Sequence, residues 1–72
     1  MKPQQFFELE NNEYIELNRL LKTLQLVQSG GEAKMAILNH EVTVNGETEI
    51  RIRKKLRKGD IIEFDENRIE VQ

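Results

Sequence analysis

The spacing of hydrophobic positions changes along the chain, and each change marks a change of backbone. From Tyr14 or Ile15 to about Leu26, the leucines Leu17, Leu20, Leu21 and Leu24 recur at i, i+3, i+4 and i+7. This spacing draws one apolar stripe along an amphipathic helix, with Asn18, Arg19, Lys22 and Gln25 on the opposite face. A second helix starts abruptly at Ser29-Gly30-Gly31-Glu32, a capping-box pattern in which the Ser29 hydroxyl accepts from first-turn amides and Glu32 reaches back. Its stripe is narrow (Ala33, Ala36, Ile37) and runs to about Asn39. The Leu26–Ser29 link joins the two into a compact helix–turn–helix-like pair.

After His40 the period is two. Val42 and Val44 alternate with Thr43, and Asn45-Gly46 is a strong hairpin signal. Glu47 to Ile52 is expected to continue outward as an irregular strand. Lys58-Gly59-Asp60 is a tight turn, Ile61–Phe64 a strand, Asp65-Glu66-Asn67 another turn, and Arg68–Val71 a last strand with Ile69 and Val71 facing inward. Ahead of the helices, Gln5–Leu9 reads as a short edge strand, followed by a Glu10–Glu13 turn in which Asn11 or Asn12 caps the first helix. The sum is one α+β domain over 1–72, two helices packed on a small, mainly antiparallel sheet of three to five short strands.

Seventy-two residues bury only about 60% of the unfolded chain's surface and leave little room for an enclosed catalytic cavity. No cysteine is present, so no disulfide or thiolate metal site is available. Met1-Lys2-Pro3-Gln4-Gln5 lacks the apolar centre of a signal peptide, and no apolar run approaches a membrane span. A cytoplasmic protein is expected.

Charge changes the picture most. Six of the eight residues from Arg51 to Lys58 are basic (Arg51, Arg53, Lys54, Lys55, Arg57, Lys58), while the remaining residues sum to −8 and the whole chain to −2. Charge runs are often plain solvated surface. Here the run is internal and threaded with Ile50, Ile52 and Leu56. If Ile50 to Arg57 is extended, Arg51, Arg53, Lys55 and Arg57 project to one side and the three apolar residues to the other, with Lys54 the exception. A basic comb anchored to a core points to an anionic partner, most often a nucleic-acid backbone.

Catalysis finds little support. His40 is the sole histidine, has no second base or ligand beside it in the sequence, and reads as structural. Gly30-Gly31 lacks the spacing of a nucleotide-binding loop. Two readings of Ser29-Gly30-Gly31-Glu32-Ala33-Lys34 stand side by side. The helix start can bind phosphate through free amides with Lys34 one turn in, or Ser29 and Glu32 can simply cap it. Neither a cofactor nor a metal is called for.

These parts in this order resemble the S-four domain, the RNA-binding module also called the alpha-L motif, in its short stand-alone bacterial YaaA/YbcJ type. The resemblance rests on Ile15–Lys22, Ser29–Lys34, Val42-Thr43-Val44-Asn45-Gly46-Glu47 and Lys54-Lys55-Leu56-Arg57-Lys58-Gly59-Asp60, and covers about Ile15 to Val71. It implies a ribosome-associated binder of structured RNA, whose RNA is held by the helix pair and the adjacent loop. That nominates Asn18, Arg19 and Lys22 on the first helix and Ser29, Gly30, Gly31 and Lys34 at the second, flanked by Arg51, Arg53, Lys54, Lys55, Arg57 and Lys58. Two positions depart from the family pattern. Gly30 stands where many members carry arginine, and His40 where many carry glycine in a left-handed conformation.

The expected partner is structured RNA, rRNA or tRNA-like, with the ribosome behind it; the protein is expected to be a monomer. With no aromatic inside the basic run, a stacking platform for single strands is not expected, and Tyr14 alone is a candidate for stacking a splayed base. The rival reading is a protein-interaction module, in which a sheet edge at Phe6–Leu9 or Arg68–Val71 takes another strand and the basic segment docks an acidic partner. Attachment to anionic lipid is the weakest reading, since no hydrophobic anchor accompanies the patch.

Overall fold

The computed structural model describes residues 4–72; Met1, Lys2 and Pro3, the start of the segment weighed above as a signal peptide, lie outside the described residues. The elements run β1 (Gln4–Phe7), β2 (Ile15–Glu16), α1 (Leu17–Thr23), α2 (Gly30–Leu38), β3 (Val42–Val44), β4 (Glu47–Thr48), β5 (Lys55–Leu56), β6 (Ile61–Phe64) and β7 (Asn67–Val71). Five strands form one sheet in the order β1-β7-β6-β3-β4, and β2 pairs with β5 in a separate two-stranded ribbon. Every pairing is antiparallel except β1 with β7, which is parallel, Gln4 opposite Arg68 and Phe7 opposite Val71. The α+β class expected from the sequence is what forms.

The core lies between one face of the sheet and the two helices. Period-two alternation turns Val42, Val44, Ile62, Ile69 and Val71 inward, where they meet Leu17, Leu20 and Leu21 of α1 and Ala33, Ala36 and Ile37 of α2. Leu56 closes the end of this core and is fully buried. Each large aliphatic side chain so buried contributes about 1.5–3 kcal/mol, the main force holding a chain that has no disulfide. The Asn45-Gly46 hairpin forms with both residues at positive φ (53° and 86°), as a two-residue turn matched to strand twist requires.

Helix α1 is shorter than its leucine stripe, at both ends. It does not start at Tyr14 or Ile15, because Ile15 and Glu16 are extended and pair with Leu56 and Lys55. Neither Asn11 nor Asn12 caps it, and Asn12 instead donates its side-chain amide to the Leu9 carbonyl at 3.1 Å. The first amides of α1, on Leu17 and Asn18, donate to the carbonyls of Lys54 (2.9 Å) and Ile52 (3.1 Å). The basic segment's own backbone is therefore the cap. At the other end Gln25 takes φ 59°, and the amides of Gln25 and Leu26 return to the carbonyls of Lys22 and Leu21. That is a Schellman closure without glycine, and it stops the helix at Thr23 rather than near Leu26.

Helix α2 starts as its capping box dictates. The Glu32 amide donates to Ser29 Oγ at 3.2 Å, and the Glu32 carboxylate accepts from the Gln28 amide at 3.1 Å, one residue further back than in the usual box. It ends in a second Schellman closure at His40 (φ 64°), whose own amide and that of Glu41 return to Ile37 and Ala36.

Two strand expectations need correction. The N-terminal strand forms over Gln4–Phe7 rather than Gln5–Leu9, because Leu9 leaves the strand to bury its side chain. Arg68–Val71 is no sheet edge: β7 lies between β1 and β6, and the edge strands of the five-stranded sheet are β1 and β4.

Candidate functional site

The basic segment is a crossover between the two sheets, not a strand. The Glu49 amide makes the last contact with β3, donating to the Val42 carbonyl at 2.9 Å, and the chain then leaves the sheet. Arg51 to Lys54 curls into a turn, with the Lys54 amide donating to Arg51 at 3.2 Å, and only Lys55–Leu56 is extended. The straight comb expected over Ile50–Arg57 and the irregular strand over Glu47–Ile52 are both corrected. The reason is the helix cap: to offer the Ile52 and Lys54 carbonyls to α1, this stretch must bend over the helix start.

The alternation survives in part. Arg51, Arg53, Lys55 and Arg57 are exposed, Ile52 and Lys54 half-buried and Leu56 buried, but Ile50 is 54% exposed and anchors nothing. Downstream, Gly59 at φ 96° turns the chain and the Asp60 carboxylate accepts from the Arg57 amide (2.8 Å) and from Asn45 Nδ2 (3.0 Å). Asn45 Oδ1 in turn accepts from the Ile61 amide at 2.9 Å. The Asn-Gly and Gly-Asp motifs, separate in sequence, are one hydrogen-bonded latch that fixes the end of the basic segment.

Held this way, the segment forms a concavity of about 460 Å³ lined by Arg51, Arg53, Lys54, Lys55 and Arg57. Lys58 is exposed in the following turn and is not part of the wall. One of the five cations is already engaged. Arg51 donates from Nε and Nη2 to the two carboxylate oxygens of Glu49, at 3.0 and 3.2 Å, and its amide donates to the same carboxylate. Those hydrogen bonds hold Glu49 below the ordinary carboxylate pKa although its burial pushes the other way. Glu49 is a buried acid that the sequence reading passed over; its only signal was the Glu-x-Arg spacing, which puts both side chains on one side of extended backbone. Among the described residues, Arg53, Lys54, Lys55 and Arg57 make no ion pair.

Beside the concavity stands Tyr14. Lys55 Nζ lies 5.0 Å from its ring centroid and the Arg57 guanidinium carbon 5.8 Å, both within cation–π range. Tyr14 also lines a second cleft, of about 680 Å³, between the β1–β2 connection and α1. Arg19 belongs to that cleft, whereas Lys22 is exposed a turn further along the helix. Asn18 is half-buried, its backbone amide donates to the Ile52 carbonyl, and its side-chain Oδ1 is enclosed without a hydrogen-bond partner.

The start of α2 is separate from both concavities, neither of which has an α2 residue in its wall. Ser29, Gly30, Gly31 and Lys34 are all exposed there. A Cβ on Gly30 would meet nothing within 4 Å and one on Gly31 only Ser29 Oγ at 3.9 Å, so packing does not require glycine at either position. The capping box engages the amides of Glu32 and Gln28, not those of the two glycines.

Comparison with known proteins gives a consistent picture. The model of the S4 domain matches residues 7–72. RlbA of Bacillus subtilis, a probable ribosome maturation protein, is 42% identical over 55 residues, covering 76% of this chain and 78% of RlbA. YbcJ of Escherichia coli is 35% identical over 65 residues, covering 90% of this chain and 93% of YbcJ. The solution structure of Escherichia coli YbcJ, described as revealing an alpha-L motif involved in RNA binding, superposes with a TM-score of 0.73 at 34% identity, over 99% of this chain and 90% of that one.

Proposed function

The chain belongs to the S4 domain family, and from that premise we propose that it binds structured RNA without catalysing a reaction, through phosphate and shape contacts, and that its RNA is ribosomal. The carrying observation is the concavity whose five lining residues are all basic, on a chain whose net charge is −2. The major groove of A-form RNA is too deep and narrow for side chains to read, so a folded RNA is met through phosphates and 2′-hydroxyls. Arg53, Lys54, Lys55 and Arg57, none of them paired with an acid among the described residues, supply charge for those phosphates. The α2 start offers a second contact: glycines free of packing duty let a phosphate oxygen approach the Gly30 and Gly31 amides, standing in for the arginine many family members carry after the serine. The acidic remainder of the surface disfavours other docking orientations.

The likeness to RlbA, a probable ribosome maturation protein, supports the ribosomal part and the proposal of a role in ribosome maturation. Crosslinking in cells, followed by sequencing of the attached RNA, tests this part. Recovery of one structured rRNA segment is the expected result; recovery of mRNA alone, or of protein partners that persist after nuclease treatment, would overturn it.

A further inference from the structure

The cleft beside Tyr14 has a chemistry unlike that of the basic concavity it adjoins. Glu13 and Glu16 line it together with Phe7, Asn11, Tyr14 and Arg19. Two carboxylates make it a poor seat for a phosphate. An aromatic ring, an apolar wall and hydrogen-bonding groups make it a good seat for a nucleobase, and its volume of about 680 Å³ falls in the range of small-molecule sites. The hydrogen-bonding capacity is unspent: among the described residues the side chains of Glu13, Glu16 and Arg19 and the Tyr14 hydroxyl make no hydrogen bond within the protein.

Tyr14 links the two sites. Its ring lies within cation–π range of Lys55 and Arg57, both in the wall of the basic concavity, and borders the cleft as well. A nucleotide whose phosphate lies on Lys55 and Arg57 thus has the cleft beside it. We infer that this cleft receives one unstacked base of the bound RNA, stacked on Tyr14, and favours guanine over uracil. Carboxylates accept hydrogen bonds from base donors. Guanine presents two parallel donors on its Watson–Crick edge, N1–H and the N2 amino group, which suit one carboxylate. Uracil flanks its single donor with two carbonyl oxygens that a carboxylate repels. Single-stranded loops and bulges are where proteins read RNA in this way.

The inference rests on the RNA-binding reading, and its test separates the two. The full chain is titrated by fluorescence anisotropy with one RNA hairpin carrying, at a single bulge, guanosine, uridine or an abasic residue. Guanosine is expected to bind on the order of tenfold tighter than the abasic hairpin, in line with base–aromatic stacking, and tighter than uridine. In both Tyr14→Ala and Tyr14→Leu, the second of which keeps an apolar side chain at the position, the guanosine-to-abasic ratio is expected to fall to about one. Equal binding of the three hairpins by the wild-type chain, with salt dependence intact, overturns the base site alone. A ratio that persists in both Tyr14 variants does the same. No binding of any hairpin at low salt overturns the RNA-binding reading with it.

Discussion

Asn45 and Asp60, fifteen residues apart, share a hydrogen bond of 3.0 Å that ties the β3–β4 hairpin to the turn closing the basic segment. Asp60 also accepts from the Arg57 amide, and Asn45 from the Ile61 amide. The pair therefore fixes where Arg57 leaves the backbone.

Removing either partner should loosen that geometry. Asp60→Ala and Asn45→Ala are each expected to cost about 0.5–1.5 kcal/mol in urea unfolding, the net worth of exposed hydrogen bonds whose freed amides water can solvate. In a double-mutant cycle the two losses should fall short of additivity by at least about 0.5 kcal/mol. Strict additivity would show that the side chains act independently.

His40 adopts a left-handed conformation at the C-terminal closure of α2, where a side chain costs about 1–2 kcal/mol relative to glycine. Glycine gives back part of that through greater freedom of the unfolded chain. His40→Gly is therefore expected to raise stability by about 0.5–1 kcal/mol, read from the midpoint of denaturant unfolding. A loss of stability would mean that the imidazole makes a contribution its exposed position does not reveal.

Glu49 links stability to pH. Its pKa in the folded protein lies below the ordinary value of 4.5, chiefly through the hydrogen bonds from Arg51. A carboxyl lowered on folding stabilises fully above its unfolded pKa, and that contribution is lost as pH falls through the folded value. Wild-type protein should exceed Glu49→Gln in stability at pH 7, and the gap should close as pH is lowered below about 4.5. A gap independent of pH would exclude ionisation of Glu49 as its source.

The same substitution releases Arg51. Binding of Glu49→Gln to structured RNA should then depend on salt more steeply by about one phosphate contact, a change of roughly 0.7–0.9 in the slope of log affinity against log salt. An unchanged slope would mean that Arg51 already reaches RNA while paired.

Local patterns in the sequence carried the fold well. The Val42–Val44 alternation, the Asn45-Gly46 turn, the Ser29 cap and the inward Ile69 and Val71 all formed where their residue types place them. What was not legible depends on residues far apart in the chain. The α1 start is capped by carbonyls from Ile52 and Lys54, more than thirty positions away, and no local pattern encodes that. The same contact bent the basic segment out of the strand its alternation suggested. Glu49 was hidden for another reason: the basic run begins at Arg51, and the acid that neutralises that arginine stands two residues before it.

The most direct test of the proposal that the basic concavity holds RNA phosphates compares salt dependence in wild-type protein and the double variant Arg53→Ala/Lys55→Ala, on one structured RNA. With four phosphates neutralised, the wild-type slope of log affinity against log salt should be roughly −3 to −4, and the variant's flatter by about two contacts. Affinity that is insensitive to salt, or a slope that the double variant leaves unchanged, would contradict it.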